Sequence, residues 1–425
     1  MPKNDPWYMP GKWNLSSLPW RNEIRSELSL PKRFYVRDTG LRHQEDHPCI
    51  IVSIEDKLKM VEVLVELGVS EIECGWPAMV EEDYDLMKAI TRAGLDIKKS
   101  AMVGVYADDV KKEMDVAVEA GADNFKIGNA PSNKWTELGY GRRPYKHGVN
   151  KEEALTRALI MIDYAKKYGL PISTGFVDIM RADLEWIKSA LKKFPPGQLD
   201  RFFVYEDGLA TPMTMRYLIM QLREILGETR ILVHCHNTFG LATANVLAAV
   251  EAGAEWADLS VNGYGPEAGA APLEEVVCAL EMLYGVDTGI KLEKLYEASK
   301  VFEKITRVKC QPQKPIAGEN VFLSKSGSAA AKILKSKGEW DPEVFPWEAF
   351  NPKLVGQSRS IVWESRAKTM EDSEALLLRL EGLGLKYSDE EFMKLKRKLA
   401  DQIRLRGYIT DDGIRRLILK YTSKS

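Results

Sequence analysis

The chain has 425 residues, a formal net charge of −2 and 29% charged residues, a balance with no basic footprint for nucleic acid and no polybasic patch for a membrane surface. Met1 to Trp20 holds no apolar run long enough for a signal peptide or a membrane span. The length allows one large α/β domain plus a smaller one, and the five scattered cysteines, without a Cys-x-x-Cys pair, point to a reducing, cytoplasmic setting and no structural disulfide.

Residues 1–32 read as an extended N-terminal arm with aromatic anchors at Trp7, Tyr8, Trp13 and Trp20 that pack on the body or on a neighbouring subunit. From Arg33 a regular alternation begins. Short β-branched or aromatic runs at Phe34–Asp38, Glu71–Gly75, Ser100–Val105, Asn124–Ile127, Ile172–Phe176, Phe202–Asp207, Ile231–His236 and Ala257–Asn262 read as strands. Between them lie amphipathic stretches at Ile54–Leu67, Glu81–Ala93, Asp108–Ala120, Lys151–Tyr168, Leu184–Lys193, Pro212–Leu226, Leu241–Ala252 and Leu273–Leu283. Eight βα units predict a (β/α)8 TIM barrel over 33–287, because right-handed parallel crossovers leave few other topologies. A doubly wound sheet is the alternative, but no Gly-x-Gly-x-x-Gly follows the first strand.

Residues 288–425 read as a linker and a smaller, mostly helical C-terminal region. Helical period covers 288–306 and 321–337, and Gly338–Val362 has little periodicity. Polar helices follow near Met370–Leu380 and Asp389–Leu405, with a short helical tail at Ile409–Tyr421. A helical tail and a Trp-rich arm suggest a homodimer in which one subunit's tail covers the other's barrel mouth.

Chemistry-bearing residues gather at the predicted strand ends, which in such barrels share one mouth. His234 and His236 are spaced i, i+2 at the end of an apolar strand, so both imidazoles face one side and can reach one ion. The first strand ends in Asp38-Thr39-Gly40-Leu41-Arg42-His43-Gln44-Glu45-Asp46-His47, and the second carries Glu73 among apolar residues. A buried carboxylate needs a partner, and Arg42 is the one we expect. A purely structural Arg42–Glu73 ion pair under the rim is the plainer alternative. The loop from Pro131 to Asn150 carries Lys134, Arg142, Arg143, Lys146 and His147, which can clamp a substrate carboxylate or a CoA phosphate or simply form a solvated charged loop.

Asp38-Thr39-Gly40-Leu41-Arg42 resembles the D-T-T-L-R-D-G-E opening of the isopropylmalate, homocitrate and citramalate synthases, relatives of 3-hydroxy-3-methylglutaryl-CoA lyase in the TIM-barrel metallolyase superfamily. Ile72-Glu73-Cys74-Gly75-Trp76-Pro77 resembles the I-E-x-G-F-P strand, and His234-Cys235-His236-Asn237 with Gly240-Leu241-Ala242 the H-x-H-N-D-x-G-L-A strand. Val261-Asn262-Gly263-Tyr264-Gly265 is similar to the V-N-G-x-G turn, and Gln311-Pro312-Gln313-Lys314-Pro315 to the run that opens the synthases' C-terminal subdomains. The resemblance spans about residues 33–410. It implies a divalent-metal-dependent enzyme that condenses an acyl-CoA with a 2-oxo acid. Arg42 and Glu73 take the catalytic positions and His234 and His236 two metal positions. Asp38, Asp178, Arg181, Asn262 and, on the loop, Arg142 and Arg143 are the substrate-binding candidates.

The departures carry their own chemistry. His43 stands where the family's acidic metal ligand follows the arginine, Val177 replaces the glutamate of S-A-E-D, Thr238 the aspartate after H-x-H-N, Ala270 the asparagine of A-G-N, and Ala329 the histidine of S-G-I-H-Q. Three neutral imidazoles, His43, His234 and His236, would keep a dication strongly Lewis acidic and favour zinc. Without His43, with Glu45 or Asp46 restoring a carboxylate, zinc, manganese, magnesium, iron and cobalt all suit the site. Val177 and Ala329 motivate two further readings: a lyase or aldolase cleaving a branched hydroxy acid or hydroxyacyl-CoA in the same barrel, and a non-catalytic paralogue that binds a 2-oxo acid.

Overall fold

The computed structural model describes residues 5–43, 46–129, 149–325, 328–336, 339–342, 344–364 and 370–422. Arg142, Arg143, the other basic residues of that loop and Glu45 lie outside the described residues. The chain divides into two compact units, Ser17–Cys310 and Met1–Ser16 together with Gln311–Ser425.

The larger unit is built on eight parallel strands: β1 (Tyr35–Asp38), β2 (Glu71–Glu73), β3 (Lys98–Gly104), β4 (Asn124–Asn129), β5 (Ile172–Phe176), β6 (Arg201–Glu206), β7 (Arg230–Cys235) and β8 (Trp256–Leu259). They pair in sequence order, and β8 returns to β1 to close the barrel. The expected TIM barrel is present. Helices α1 (Ile54–Leu67), α2 (Glu81–Ala93), α3 (Val110–Ala120), α4 (Lys151–Ala165), α5 (Leu184–Leu191), α6 (Pro212–Leu226), α7 (Ala242–Glu251) and α8 (Leu273–Ala279) follow the strands in turn, and α9 (Leu295–Thr306) ends the unit. Local chemistry explains their limits. Ser53 caps α1 by accepting from the Asp56 amide, and Thr211 caps α6 ahead of Pro212. Gly68 stops α1 at a φ of 89°, where a Cβ would lie 2.6 Å from the Gly289 carbonyl oxygen.

Some elements differ from the sequence reading. The arm is not uniformly extended, since Leu18–Trp20 and Asn22–Arg25 are short helical turns. Arg25 stacks on Trp20 at 4.4 Å and donates to the Tyr284 carbonyl at 2.9 Å, so the arm's end folds onto the barrel unit. The 288–306 segment becomes α-helical only at Leu295, after the 3-10 turn Leu292–Lys294.

The smaller unit has its own core. Its sheet holds β9 (Leu323–Lys325) parallel to β10 (Ser360–Glu364), which pairs antiparallel with β11 (Tyr408–Thr410). Around it lie α10 (Ser328–Lys335), α11 (Met370–Gly382), α12 (Asp389–Arg406) and α13 (Asp411–Thr422). The regions expected to be helical at 321–337 and 409–421 therefore each begin with a strand. Trp363, Phe345, Leu376, Leu395 and Ile418 fill the centre. Ser388 and Glu391 form a capping box at the start of α12.

Candidate metal centre at the barrel mouth

A single helical turn, Gly40–His43, follows β1 and is started by Asp38, whose Oδ1 accepts the Gly40 amide at 2.8 Å. This turn delivers Arg42 and His43 to the mouth beside the end of β7. His43, His234 and His236 then meet: their ring centroids lie 4.7, 5.8 and 5.1 Å apart pairwise, and one nitrogen from each falls within 4.8 Å of the others. His43 Nδ1, His234 Nε2 and His236 Nε2 are buried without a hydrogen-bond partner among the described residues. Buried polar atoms normally have partners, so three converging imidazole nitrogens left unsatisfied fit a bound cation.

The second nitrogen is held by a close partner in two of the rings, while His236 Nδ1 lies 3.9 Å from Glu267 Oε2. His234 Nδ1 lies 3.0 Å from Asp258 Oδ2, and Tyr205 stacks on the ring with centroids 3.7 Å apart. An ionised Asp258 makes Nδ1 the donor and leaves the lone pair on Nε2. His43 Nε2 faces the Tyr205 hydroxyl at 3.1 Å and abuts the Arg42 guanidinium. The lone pair of His43 lies on Nδ1 in the tautomer whose Nε2 proton goes to the Tyr205 hydroxyl; the Arg42 guanidinium, which only donates, favours the other tautomer. Burial holds all three imidazoles below their ordinary pKa; for His43 the Arg42 charge adds to this, and for His234 the Asp258 carboxylate opposes it and the value is about 3. They are neutral at physiological pH.

Beneath the histidines lies a buried layer of charge. Glu73, fully buried, accepts from Arg42 Nε and from Lys126 Nζ. Lys126 Nζ also donates to Asp258 Oδ2 at 3.2 Å, and Arg37 holds the same carboxylate with Nε at 2.6 Å and Nη2 at 3.0 Å. Arg201 and Arg37 share Glu71 at 2.8 and 3.4 Å. Burial would push the Glu73 and Asp258 carboxyls up, but the surrounding cations hold both below the ordinary range. Four cations (Arg37, Arg42, Lys126, Arg201) face three buried carboxylates (Glu71, Glu73, Asp258), and Asp46 and Asp200 pair with Arg42 and Arg201 at 3.2 and 2.7 Å.

The Arg42–Glu73 pair expected from sequence therefore forms, and the three histidines come together. The other candidates make different contacts. Asn262 spends its carboxamide inside the protein, donating to the Ser299 carbonyl and Tyr264 hydroxyl at 3.2 Å each and accepting from Ser299 Oγ at 2.6 Å. Asp38 is fully buried, and burial raises its carboxyl to about 7 against the pull of backbone amides. Asp178, buried at a φ of 58°, pairs with the half-exposed Arg181. Next to them Asp207 is pushed up to about 7, by burial first and then by Asp178 and Glu206. Val177 joins an apolar cluster with Phe203, Leu232 and Trp256. Sequence reasoning missed Lys126, Asp258, Tyr205 and Arg37. The available signal was an ionisable or phenolic side chain at the inward parity of a barrel strand, where burial demands a partner.

The HMGL-like family model matches residues 33–302. A probable 2-isopropylmalate synthase from Ignicoccus hospitalis is 38% identical over 341 residues, 80% of this chain and 81% of that protein. Homocitrate synthase AksA from Methanothermobacter thermautotrophicus is 31% identical over 394 residues, 92% of this chain and 95% of its own. Among solved structures, an HMG-CoA lyase from Bacillus subtilis covers 66% of this chain and 96% of its own with a TM-score of 0.56 at 21% identity, a likeness of fold. The barrel topology and the matched sequence thus agree, and the chain belongs to the HMGL-like family.

Proposed function

We propose that the chain is a divalent-metal-dependent enzyme that joins an acyl-CoA to a 2-oxo acid, an acyltransferase of the synthase type. The observation that carries this reading is the set of three buried, unpartnered imidazole nitrogens beside Arg42. His43, through Nδ1, and His234 and His236, through Nε2, would hold the ion. A dication bound there supplies Lewis acidity toward a substrate carbonyl, and an all-nitrogen neutral set favours zinc over manganese, magnesium, iron or cobalt.

The chain's own groups do the rest. Arg42 is fixed by Glu73 at Nε and keeps Nη2 at the mouth beside Tyr205 and His43, where a guanidinium stabilises an oxyanion as it develops. Asp258 fixes the His234 tautomer. Named relatives are 2-isopropylmalate, homocitrate and (R)-citramalate synthases, and the chain covers most of the length of several of them. The reading includes a cytoplasmic homodimer; no helix among the described residues is long and apolar enough to cross a membrane.

The test is thiol release from acetyl-CoA that requires both a 2-oxo acid and the metal-loaded protein. Activity that survives complete chelation would overturn the reading. A second reading, cleavage of a branched hydroxy acid in the same barrel, is favoured by Val177, which puts a hydrocarbon where related synthases carry a carboxylate. It predicts release of a 2-oxo acid from such a substrate with no CoA present.

A further inference from the structure

Asp207 is a carboxyl at the barrel mouth that the metal centre does not use. It follows the last residue of β6, and alternation along that strand puts it in the inward row of Arg201, Phe203 and Tyr205, whose side chains meet Glu71, Lys126 and Arg42 inside the barrel. The pairing of β6 with β7 sets Tyr205 opposite His234. The ladder runs on one step further, with the His236 amide donating to the Glu206 carbonyl at 2.9 Å. Asp207 therefore stands one inward position nearer the rim than Tyr205, at the level of His236. Tyr205 ties this row to the site, since its hydroxyl lies 3.1 Å from both Arg42 Nη2 and His43 Nε2.

The Asp178 amide donates to the Asp207 carboxyl, whose Oδ2 is buried without a hydrogen-bond partner among the described residues. The neighbouring acids are committed elsewhere. Glu206 faces outward, its Oε1 accepting the Ala210 amide at 2.8 Å and its Oε2 the Asn245 carboxamide at 3.3 Å. Asp178 pairs with Arg181, and Glu73 is held between Arg42 and Lys126. Asp38 also keeps a bare oxygen, but it follows the inward Arg37 on β1 and so faces out of the barrel. The charged groups that act on Asp207 are Asp178 and Arg181 from the turn after β5 and Glu206 from its own strand, while His236 at its level on β7 is neutral. Burial and the two acids outweigh Arg181 and hold the carboxyl at about 7. Near neutral pH both forms are populated, the condition for a group that takes up and returns a proton.

We propose that Asp207 is the proton acceptor of the condensation, taking a proton through Oδ2 from the methyl carbon of the acetyl thioester. The inference rests on the synthase reading above. The C–H bond breaks, its proton passes to the carboxylate, and its electron pair forms the enolate, which bonds to the carbonyl carbon of the 2-oxo acid. The carbonyl pair moves to oxygen on the side of Arg42, and Asp207 returns the proton to that oxygen. Water then cleaves the thioester and releases the thiol.

The experiment follows thiol release from acetyl-CoA by the full-length, metal-loaded protein with glyoxylate, pyruvate, 2-oxoisovalerate and 2-oxoglutarate, and takes the pH profile of kcat/KM on the best of them. The wild type is expected to lose activity as pH falls below about 7. Asp207→Asn is expected to keep its metal, to lose ~10²- to 10⁴-fold in kcat/KM, and to lose that acid limb; Asp207→Glu, which restores a carboxylate, recovers part of the rate. A merely structural role would leave the limb where it is. If Asp207→Asn does not hold metal, Asp178→Asn decides: it removes a like charge and tolerates the positive φ, so the limb moves to lower pH. An Asp207→Asn variant within ~3-fold of wild type, or a limb unchanged in both asparagine variants, overturns the role of Asp207 alone. A wild type inactive on all four acids overturns the synthase reading, and this inference with it.

Discussion

His234 and Asp258 lie in one buried contact, Nδ1 to Oδ2 at 3.0 Å, with both side chains fully shielded from solvent. The carboxylate is shared with Arg37 and Lys126, so it stays ionised and directs the imidazole lone pair toward His43 and His236. Asp258→Asn keeps the shape but removes the charge that fixes this tautomer. Metal affinity, measured by competition with a chelating dye, should fall roughly 10- to 100-fold. An unchanged affinity would mean that Asp258 serves only the arginine layer.

Lys126 joins the two halves of the site, one amine bridging Glu73 and Asp258. Lys126→Met strands two buried carboxylates with less countercharge, and breaking such a pair costs about 3–5 kcal/mol. Chemical denaturation of the metal-free variant should show that loss. Adding Glu73→Gln should recover part of it, because one of the stranded charges is then gone.

Arg42 is anchored by Glu73 yet keeps 19% of its side chain exposed at the mouth, the position of a group that acts on a ligand. In Arg42→Lys the ammonium lacks the planar fork that spans Glu73, Tyr205 and His43. We expect kcat to fall ~10²- to 10³-fold with metal content retained. Loss of bound metal in parallel with activity would instead assign Arg42 to positioning His43.

Asp38 yields a pH prediction. Burial raises its carboxyl from 3.8 to about 7 in the folded chain, so between those values the folded state holds a proton that the unfolded state releases. Stability from this group is therefore present at low pH and lost as pH rises through about 7. Asp38→Asn cannot titrate. Urea midpoints taken from pH 4 to pH 8 should show the variant gaining on the wild type as pH rises, and a constant difference would contradict the raised value.

Much of the barrel was legible because apolar runs of strand length alternate with helical period from Arg33 onward, and α1, α2 and α6 have the bounds read from that period. The metal histidines were legible because i, i+2 spacing on a strand fixes a common face. Lys126 and Asp258 were not, because a charged residue inside a strand looks solvent-facing until closure of the barrel reveals its partner across the interior. β9 and β11 escaped for a different reason. Each is three residues long and runs almost directly into a helix, so the helical period of the neighbouring turns masks it.

The central claim is that His43, His234 and His236 hold one divalent ion. Elemental analysis of the purified protein, with His43→Ala and His234→Ala beside it, tests it most directly. The account predicts about one ion per wild-type chain and none in His234→Ala, with His43→Ala binding at least ~10-fold more weakly. A wild type free of metal yet fully active, or a His43→Ala variant that binds metal as tightly as the wild type, would contradict it.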